Sequence, residues 1–563
     1  MKATLKYIPA LLLAATSLWS CEDTLTETPS SGYDKDTYFS SADKANQAIL
    51  GILQSISTTQ NYGNTEIYLS CADDIVYSNR GVTRDNMRDI CNYLTEATNT
   101  DVENAWLYKY QALDRANTTV AGIEGMAGFA EDKELRALAA EARFWRAFTS
   151  FDLIRYWGDV PYTTKPSGDG YESYFRPRVG REEIYDQIFE DLDIACADLP
   201  WATAGTSPER ATQGAAHAFY MRVLMQRAGY SLQLDGTFSC PSTSTRNSYY
   251  AKVIEHWNAI EQNGYHGFYA GGYAKLWQDV SYGVLDSKED FFEIGMYQDT
   301  GRRNGSGWGV YNGPVTAQPT GLSTTEALNY MGRAQGFFGV VPEWQDIYEP
   351  LDERRDINIC TYRYQWQNGQ HVKQERNATA GWYIGKWRRE WMSPDRWNVY
   401  MNYGDVNFCP MRYPDAVLLA AEAYNELGQP DQAWPLINRV RERAGATPVT
   451  TANYRSLVTN KWLKKLPVNF LDDAGEQGQV RVVLYFERGL ELMGENMRKH
   501  DLIRWNVLDK ALKMVADNSL VHSATRNYTC ADNFRRGSSE LMPIPLRELQ
   551  ANHALNSVQN PGY

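Results

Sequence analysis

No C-x-x-C pair, H-E-x-x-H motif, G-x-S-x-G elbow or P-loop occurs in this 563-residue chain. These absences remove the sequence signatures of common zinc sites, zinc proteases, serine hydrolases and nucleotide-binding enzymes. The seven histidines are scattered, and the eight cysteines are too widely spaced to indicate a disulfide framework. A disulfide such as Cys71 with Cys91, the closest pair in sequence, stays open for an exported protein.

Basic residues are outnumbered by acidic ones, with 56 Lys and Arg against 69 Asp and Glu, so the formal net charge is -13. Binding to a phosphate backbone needs Lys and Arg concentrated on one face, so we expect no nucleic-acid partner. After residue 20 the chain also has no apolar run long enough for a transmembrane helix. Its composition, 43% hydrophobic and 22% charged, is typical of a globular protein.

The first twenty residues have the features of an export signal. Lys2 and Lys6 give a basic start, residues 7–19 are mostly apolar, and Cys21 follows directly. The pattern resembles a bacterial lipoprotein signal, which implies that Cys21 is acylated and becomes the first mature residue. Glu22-Asp23 resembles the surface-export signal of Bacteroidetes lipoproteins. We therefore assign 1–20 to a signal peptide and 21–40 to a lipidated tether; a secretory signal cleaved elsewhere is the alternative.

Apolar residues recur at helical spacing through both ends of the chain. Helices are predicted over 41–57, 104–122, 134–157, 181–199, 212–231 and 249–263. In 411–445, the residues Ala421, Tyr424, Gly428 and Ala433 stand where a tetratricopeptide repeat has its small, aromatic, turn and next small positions. The sequence therefore predicts a mostly α fold, with a tetratricopeptide-like helical-hairpin scaffold over 41–264 and 411–563 of a single body.

The helical spacing lapses between residues 265 and 410. Short β-prone runs at 291–296 and 382–387 alternate with glycine-rich polar loops. Long irregular segments inside compact chains are usually either functional or disordered. We expect an irregular, loop-rich insertion with a few short strands, and we expect it to carry the binding function.

Several sequence blocks, in this order, resemble the SusD/RagB family of outer-membrane nutrient-binding lipoproteins. The blocks are EARFWRAF at 141–148, YWGDVP at 156–161, RYPDAVLLAAEA at 412–423, NRVR at 438–441, ERGLEL at 487–492, KHDLIRW at 499–505, LMPIP at 541–545 and NPGY at 560–563. The resemblance implies a cell-surface lipoprotein of the outer membrane that captures a nutrient, usually a glycan. It also implies a partner, a SusC-like TonB-dependent transporter.

Charged residues within these blocks sit on otherwise apolar helices, where a charge persists only if it is paired. We therefore predict structural ion pairs, and no catalytic role, for six of them: Arg143, Arg412, Glu422, Glu487, Arg488 and Arg504.

Two stretches supply candidate ligand-binding residues. Aromatic rings stack on sugar faces, while carboxylates, amides and guanidinium groups bond the hydroxyls. The candidates are Asp73, Asp74, Tyr77 and Arg80 in an early loop, Arg302, Asn304, Trp308 and Tyr311 in a glycine-rich loop, and Trp391, Trp397 and Tyr400 in a later loop. The glycines around Trp308 predict an exposed ring. Turn chemistry in the first loop, and packing for each tryptophan, are the alternatives.

The function predicted from the sequence is non-catalytic capture of a glycan at the cell surface and its delivery to the transporter, without a cofactor. A peptide-binding, RagB-like lipoprotein is one alternative. A surface glycoside hydrolase is another, because it needs two carboxylates whose separation a sequence cannot show. A structural calcium ion also stays open, although Asp472-Asp473 lacks the alternating oxygen ligands of an EF-hand.

Overall fold

A computed structural model describes residues 38–79, 84–168, 174–297, 305–319, 321, 330–397, 403–456, 466–523 and 527–563. The predicted signal peptide, Cys21 and nearly all of the tether lie outside these residues. So do four of the candidate ligand-binding residues: Arg80, Arg302, Asn304 and Tyr400. Within the described ranges no helix is both long and apolar enough to cross a membrane.

The N-terminal part is built of helices that pack in antiparallel pairs, as predicted. Its helices are α1 Ala42–Ile56, α2 Thr65–Leu69, α3 Asn86–Cys91, α4 Thr100–Glu124, α5 Lys133–Trp157, α6 Arg181–Asp198, α7 Gln213–Ala228 and α8 Thr243–Asn263. Helix α5 begins after Asp132, whose carboxylate accepts hydrogen bonds from two backbone N–H groups, and ends at Gly158, whose φ of 73° favours glycine. Helices α4, α5 and α6 pack side by side, and α7 packs between α6 and α8.

Short strands are concentrated in the middle of the chain. The strands are β1 Val76–Ser78, β2 Val160–Pro161, β3 Arg178–Val179, β4 Ser231–Leu232, β5 Phe238–Ser239, β6 Asp290–Ile294, β7 Phe338–Val340, β8 Ile359–Cys360, β9 Tyr362–Gln367, β10 Gln370–Glu375, β11 Trp382–Ile384 and β12 Phe408–Arg412. Strands β1, β7, β11 and β8 form one four-stranded antiparallel sheet in that order, and β9 pairs with β10 in a separate hairpin. The short helices α9 Tyr273–Tyr282 and α10 Arg354–Asn358 lie among them.

The C-terminal part returns to helices, which are α11 Tyr413–Glu426, α12 Pro430–Arg443, α13 Gly475–Glu491, α14 Arg498–Arg504, α15 Leu508–Asn518, α16 Leu520–Ser523, α17 Cys530–Asn533 and α18 Leu546–Ala551. Helices α11 and α12 form the predicted hairpin, with Gly428 at φ 76° in the turn between them. The predicted fold class, a mostly α scaffold with a loop-rich insertion, is therefore confirmed.

Buried ion pairs connect the insertion to the helical scaffold. The Arg412 guanidinium lies 2.7 Å from Glu289 and 2.6 Å from Glu495, and all three side chains are buried. The other predicted pairs also form: Arg143 with Glu124 and Asp191, Glu422 with Arg504, Glu487 with Arg354 and Arg441, and Arg488 with Asp415 and Asp501. Buried charges are costly when unpaired, so the Arg412–Glu289 and Glu487–Arg354 pairs hold the insertion on the scaffold. The remaining pairs join parts of the scaffold to one another.

The cysteines of the described residues are all free thiols, and Cys71 and Cys91 are both buried in the core. The open option of a disulfide between them is therefore not realised in this structure.

Candidate ligand-binding surface

The carboxylates of the early loop are core residues, which corrects the expectation that they face a ligand. Asp73 is buried, and its Oδ1 accepts hydrogen bonds of 2.7 Å from the backbone N–H groups of Ile75 and Val76. Burial, together with the charge of Asp74, raises the pKa of Asp73 to about 7. Asp74 is fully buried against Arg498, with a 2.7 Å contact. The Asp73 side chain therefore accepts hydrogen bonds from the backbone of its own turn, which is the alternative to ligand binding considered for this loop.

Tyr77 is likewise buried, on strand β1, with its ring 5.8 Å from that of Tyr528 in an edge-to-face arrangement. Burial raises the pKa of its hydroxyl above the ordinary value. Within the first candidate loop, Asp73 thus holds its own turn, Asp74 joins the loop to helix α14, and Tyr77 packs against the C-terminal segment at Tyr528. They do not form a binding surface.

The Trp308 ring is completely buried, so the prediction that its neighbouring glycines leave it exposed is wrong. The indole stacks on Phe408 at 4.2 Å with an interplanar angle of 12°, and its Nε1 donates to the Tyr62 carbonyl at 3.0 Å. Gly309 has a φ of 76°, which favours glycine, and a Cβ on Gly307 would clash with Asn64 Oδ1. These glycines therefore serve close packing of the chain over the ring.

Tyr311, Trp391 and Trp397 are half-buried and remain compatible with ligand contact. Tyr311 packs on Phe337 at 5.3 Å, and burial is the main cause that raises its pKa to about 12. Trp391 lies under the Arg388 guanidinium, 4.4 Å from its ring centroid. The Trp397 indole nitrogen is buried and has no hydrogen-bond partner among the described residues.

A second set of rings, which the sequence analysis missed, lies on the hairpin of β9 and β10. Asn368 and Gly369 join the strands and both have positive φ, 52° and 77°, as a type I′ turn requires. Alternate residues of a strand share one face, and the register places their cross-strand partners on the same face. The resulting hairpin face consists of Tyr362, Tyr364, Trp366, His371, Lys373 and Glu375.

Aromatic contacts continue from one end of the hairpin face to the other. Lys373 Nζ lies 3.7 Å from the Tyr362 ring centroid. At the other end Tyr330 stacks on His371 at 5.4 Å and 19°, and it meets Trp366 edge-to-face at 5.9 Å. The rings of β9 are half-buried, so each keeps part of its surface accessible to solvent. Such a row of rings offers flat apolar contact together with polar rims.

Arg388 joins the hairpin face to one of the rings predicted from the sequence. Its Nη1 donates to the Tyr362 hydroxyl at 2.7 Å, and its guanidinium covers Trp391. Glu390 accepts a hydrogen bond from the same hydroxyl. Trp391 therefore lies beside the hairpin face, whereas Tyr311 is positioned by Phe337.

Two polar atoms at the Trp366 end of the face have no partner among the described residues. These atoms, the Tyr330 hydroxyl and His371 Nδ1, are both buried. His371 Nε2 accepts the Met331 backbone N–H at 3.3 Å, so the neutral ring carries its proton on Nδ1. Burial lowers the pKa of His371 to about 4, which keeps the ring neutral at pH 7. An unpaired buried donor is costly, and a hydroxyl of a ligand is one group that satisfies it.

A separate cleft of about 440 Å³ lies between helix α4 and the residues that follow α5. Trp106, Tyr110, Tyr162 and Tyr174 contribute rings to it, and Asp114 contributes a carboxylate. Tyr174 is 61% exposed, so this cleft also presents an accessible ring. It is a competing location for a ligand of the same chemistry.

Comparison with known proteins agrees with the fold and the sequence blocks. Residues 296–563 match the SusD family, and residues 25–225 match a family described as starch-binding and associating with the outer membrane. The chain is 26% identical to SusD-like protein P25 of Formosa agariphila over 570 aligned residues. The alignment covers 97% of each chain.

Solved structures share the architecture over nearly the whole chain. A SusD homolog from Bacteroides thetaiotaomicron has a TM-score of 0.76 at 24% identity and covers 96% of this chain and 100% of its own. Surface glycan-binding protein A from the same organism, in complex with laminarihexaose, has a TM-score of 0.66 at 18% identity and covers 92% of this chain and 99% of its own. Family models match both the N-terminal and the C-terminal parts of the chain, a sequence relative aligns over nearly its whole length, and the fold is shared. This chain is therefore a SusD-like family protein.

Proposed function

We propose that this protein captures a glycan at the bacterial cell surface, without cleaving it, and delivers it to a SusC-like TonB-dependent transporter. The observation that carries the proposal is the hairpin face, where half-buried rings at alternate positions of β9 lie beside the side chains of His371, Lys373 and Glu375. A sugar ring has an apolar C–H face and a rim of hydroxyls, and this surface matches both. The transporter and the outer-membrane location follow from the family and belong to the proposal.

Relatives support the glycan as the ligand class. A structure of the same fold was solved with laminarihexaose, and another similar structure is named a laminarin-binding SusD-like protein. At identities of 18% and 21% these proteins share the fold, so their ligands indicate which glycans to test first. β-Glucans such as laminarin are therefore the first members of the test panel.

The alternative of a peptide ligand would use strand addition at an open sheet edge. The outer edge of β9 is already covered, because Tyr364 exchanges backbone hydrogen bonds with Val315 at 2.8 Å and with Ala317 at 3.0 Å. Side-chain stacking on the rings of β9 is thus favoured over backbone pairing along that strand.

Affinity electrophoresis of the purified protein against a panel of polysaccharides and a peptide mixture tests the proposal, with reducing-sugar release measured in parallel. We expect retardation by at least one polysaccharide and no release of sugar. Release of sugar from any polysaccharide would contradict the non-catalytic role. Binding to peptides alone would show that the ligand is a peptide and not a glycan.

A further inference from the structure

Helices α6, α7 and α8 bring three potential metal ligands together. These residues lie more than a hundred positions before the hairpin face in the sequence. Cys196 lies on α6, His217 on α7 and His256 on α8, and one ligand atom from each lies within 4.8 Å of the others. Each residue comes from a different helix, so the cluster depends on how the helices pack. No short sequence motif could have revealed it.

The two histidines leave a buried nitrogen without a hydrogen bond. Their Nδ1 atoms lie 2.8 Å apart, a distance at which one ring donates a proton to the other. His256 Nε2 is buried and has no partner among the described residues, and His256 is only 8% exposed. Whichever tautomer His256 adopts, Nε2 is therefore an unpaired donor or an unpaired acceptor. A metal held by the two Nδ1 atoms would replace the hydrogen bond between the rings and leave the His256 proton on Nε2.

Neighbouring rings hold both imidazoles in place. Trp201 stacks on His217 at 5.4 Å and 19°, and Tyr220 lies over His256 at 4.2 Å and 34°. Burial lowers the pKa of His217 to about 4 and is the main cause that lowers the pKa of His256 to about 3. Burial also raises the pKa of the Cys196 thiol, so all three groups are neutral in the absence of a metal.

The nearest cationic side chain already has partners. Lys252 Nζ lies 3.4 Å from the Asp193 carboxylate and donates to the Tyr220 hydroxyl at 2.5 Å. Asp193 therefore offsets the lysine charge one helical turn before Cys196. The charge of Lys252 is thus balanced by Asp193, which reduces its repulsion of a divalent cation at the cluster.

We propose that Cys196, His217 and His256 form a binding site for a divalent cation of the zinc class, with the fourth position left to water. One thiolate sulfur and two imidazole nitrogens suit Zn²⁺, whereas Ca²⁺ and Mg²⁺ take oxygen ligands. The Cys196 thiol exchanges its proton for the metal, so one proton is released to solvent for each thiolate–zinc bond formed. Nitrogen ligands of tetrahedral zinc lie about 3.3 Å apart, so the rings need to separate by roughly half an ångström.

A metal at this point would crosslink three successive helices of the scaffold. Its effect is on the stability of that region, so it is independent of the ligand proposed for the hairpin face. Because a ligand that binds the folded state alone stabilises it, Zn²⁺ should raise the melting temperature.

Equilibrium dialysis of the full chain, freed of metal with a chelator, tests the site with Zn²⁺, Ca²⁺ and Mg²⁺ as probes. We expect one Zn²⁺ per chain, an increase in melting temperature with Zn²⁺ alone, and a thiolate-to-cobalt charge-transfer band when Co²⁺ replaces it. Cys196→Ser should abolish that band, and His217→Asn should weaken Zn²⁺ binding at least tenfold.

Cys240→Ser and His522→Asn are the matched controls, because both residues lie outside the cluster and are partly exposed. Circular dichroism of each variant establishes that it is folded. The proposal is overturned if Zn²⁺ binds no more tightly than Ca²⁺, or if folded Cys196→Ser and His217→Asn bind Zn²⁺ as tightly as the two controls.

Discussion

Asp74 and Arg498 form a buried, bidentate ion pair that joins the loop before strand β1 to helix α14. Arg498 Nε lies 2.7 Å from Asp74 Oδ1, and Nη2 lies 2.8 Å from Oδ2. The Tyr485 hydroxyl donates to the same carboxylate at 2.5 Å. A carboxylate that the sequence placed on a ligand surface is thus fully occupied inside the protein.

Breaking this pair should therefore destabilise the fold. Arg498→Met leaves the Asp74 charge buried without its partner, and we expect a loss of about 3–5 kcal/mol in the free energy of unfolding. Urea unfolding measures the loss. The control is Lys513→Met, which breaks the pair with Asp517, where the side chains are 75% and 54% exposed. We expect that change to cost at most about 0.5 kcal/mol. Equal losses in the two variants would contradict the structural role of Asp74.

Trp308→Ala should act on stability and leave ligand affinity unchanged. The ring fills a fully buried position against Phe408 and Trp387, so its removal leaves a cavity that costs about 3–5 kcal/mol. Thermal unfolding and glycan titration of the folded variant, below its melting temperature, separate the two effects. A variant with normal stability and lost binding would restore Trp308 as a contact residue.

Most of the predicted helices match the structure within a few residues because their signals are local, although α8 begins at Thr243, six residues before the predicted start. The apolar residues of α5 recur at helical spacing, and the glycine that ends it, Gly158, follows directly in the sequence. The same two signals mark the end of α8 at Gly264. The burial of Trp308 could not be predicted, because Phe408 and Trp387, which cover it, lie far away in sequence.

The hairpin face, by contrast, was available in the sequence. Tyr362, Tyr364 and Trp366 alternate with polar residues, and Asn368-Gly369 follows, which together are a strong hairpin signal. What the sequence could not show is that Tyr330 stacks on His371 and leaves polar atoms unpaired, since that contact joins separate segments.

Stability should fall as pH rises between about 4.5 and 7, in part because of Glu293. Burial raises the pKa of its carboxyl to about 7, although Asn407 donates to it at 2.9 Å. An unfolded chain releases this proton near pH 4.3, so the folded state binds more protons in this window. Each unit of pH then costs up to about 1.4 kcal/mol for one such group.

Glu293→Gln should flatten that decline, since the amide does not titrate. Urea unfolding at pH 5, 6 and 7 measures the slope, with exposed Glu131→Gln as the control. If Glu293→Gln and the control show the same dependence on pH as the unmodified protein, the buried protonated carboxyl is excluded.

Cys21→Ala should release the protein from the membrane and leave glycan binding intact. The cysteine is the predicted site of acylation, whereas the proposed binding surface lies in the body of the protein. Cell fractionation followed by immunoblotting measures retention, in a strain without the proposed SusC-like transporter so that docking to it cannot hold the protein. Retention of the variant in the membrane fraction of such cells would show that the lipid is not the anchor.

The central claim is that the hairpin face binds the glycan. Isothermal titration calorimetry with the polysaccharide that gives the strongest retardation tests it directly, on Trp366→Ala and on Tyr174→Ala from the competing cleft. Loss of one stacking ring costs about 0.5–1.5 kcal/mol, so Trp366→Ala should weaken binding by about twofold to tenfold while Tyr174→Ala leaves it unchanged. Binding that is unchanged in Trp366→Ala and weakened in Tyr174→Ala would contradict the claim and place the ligand in the cleft beside helix α4.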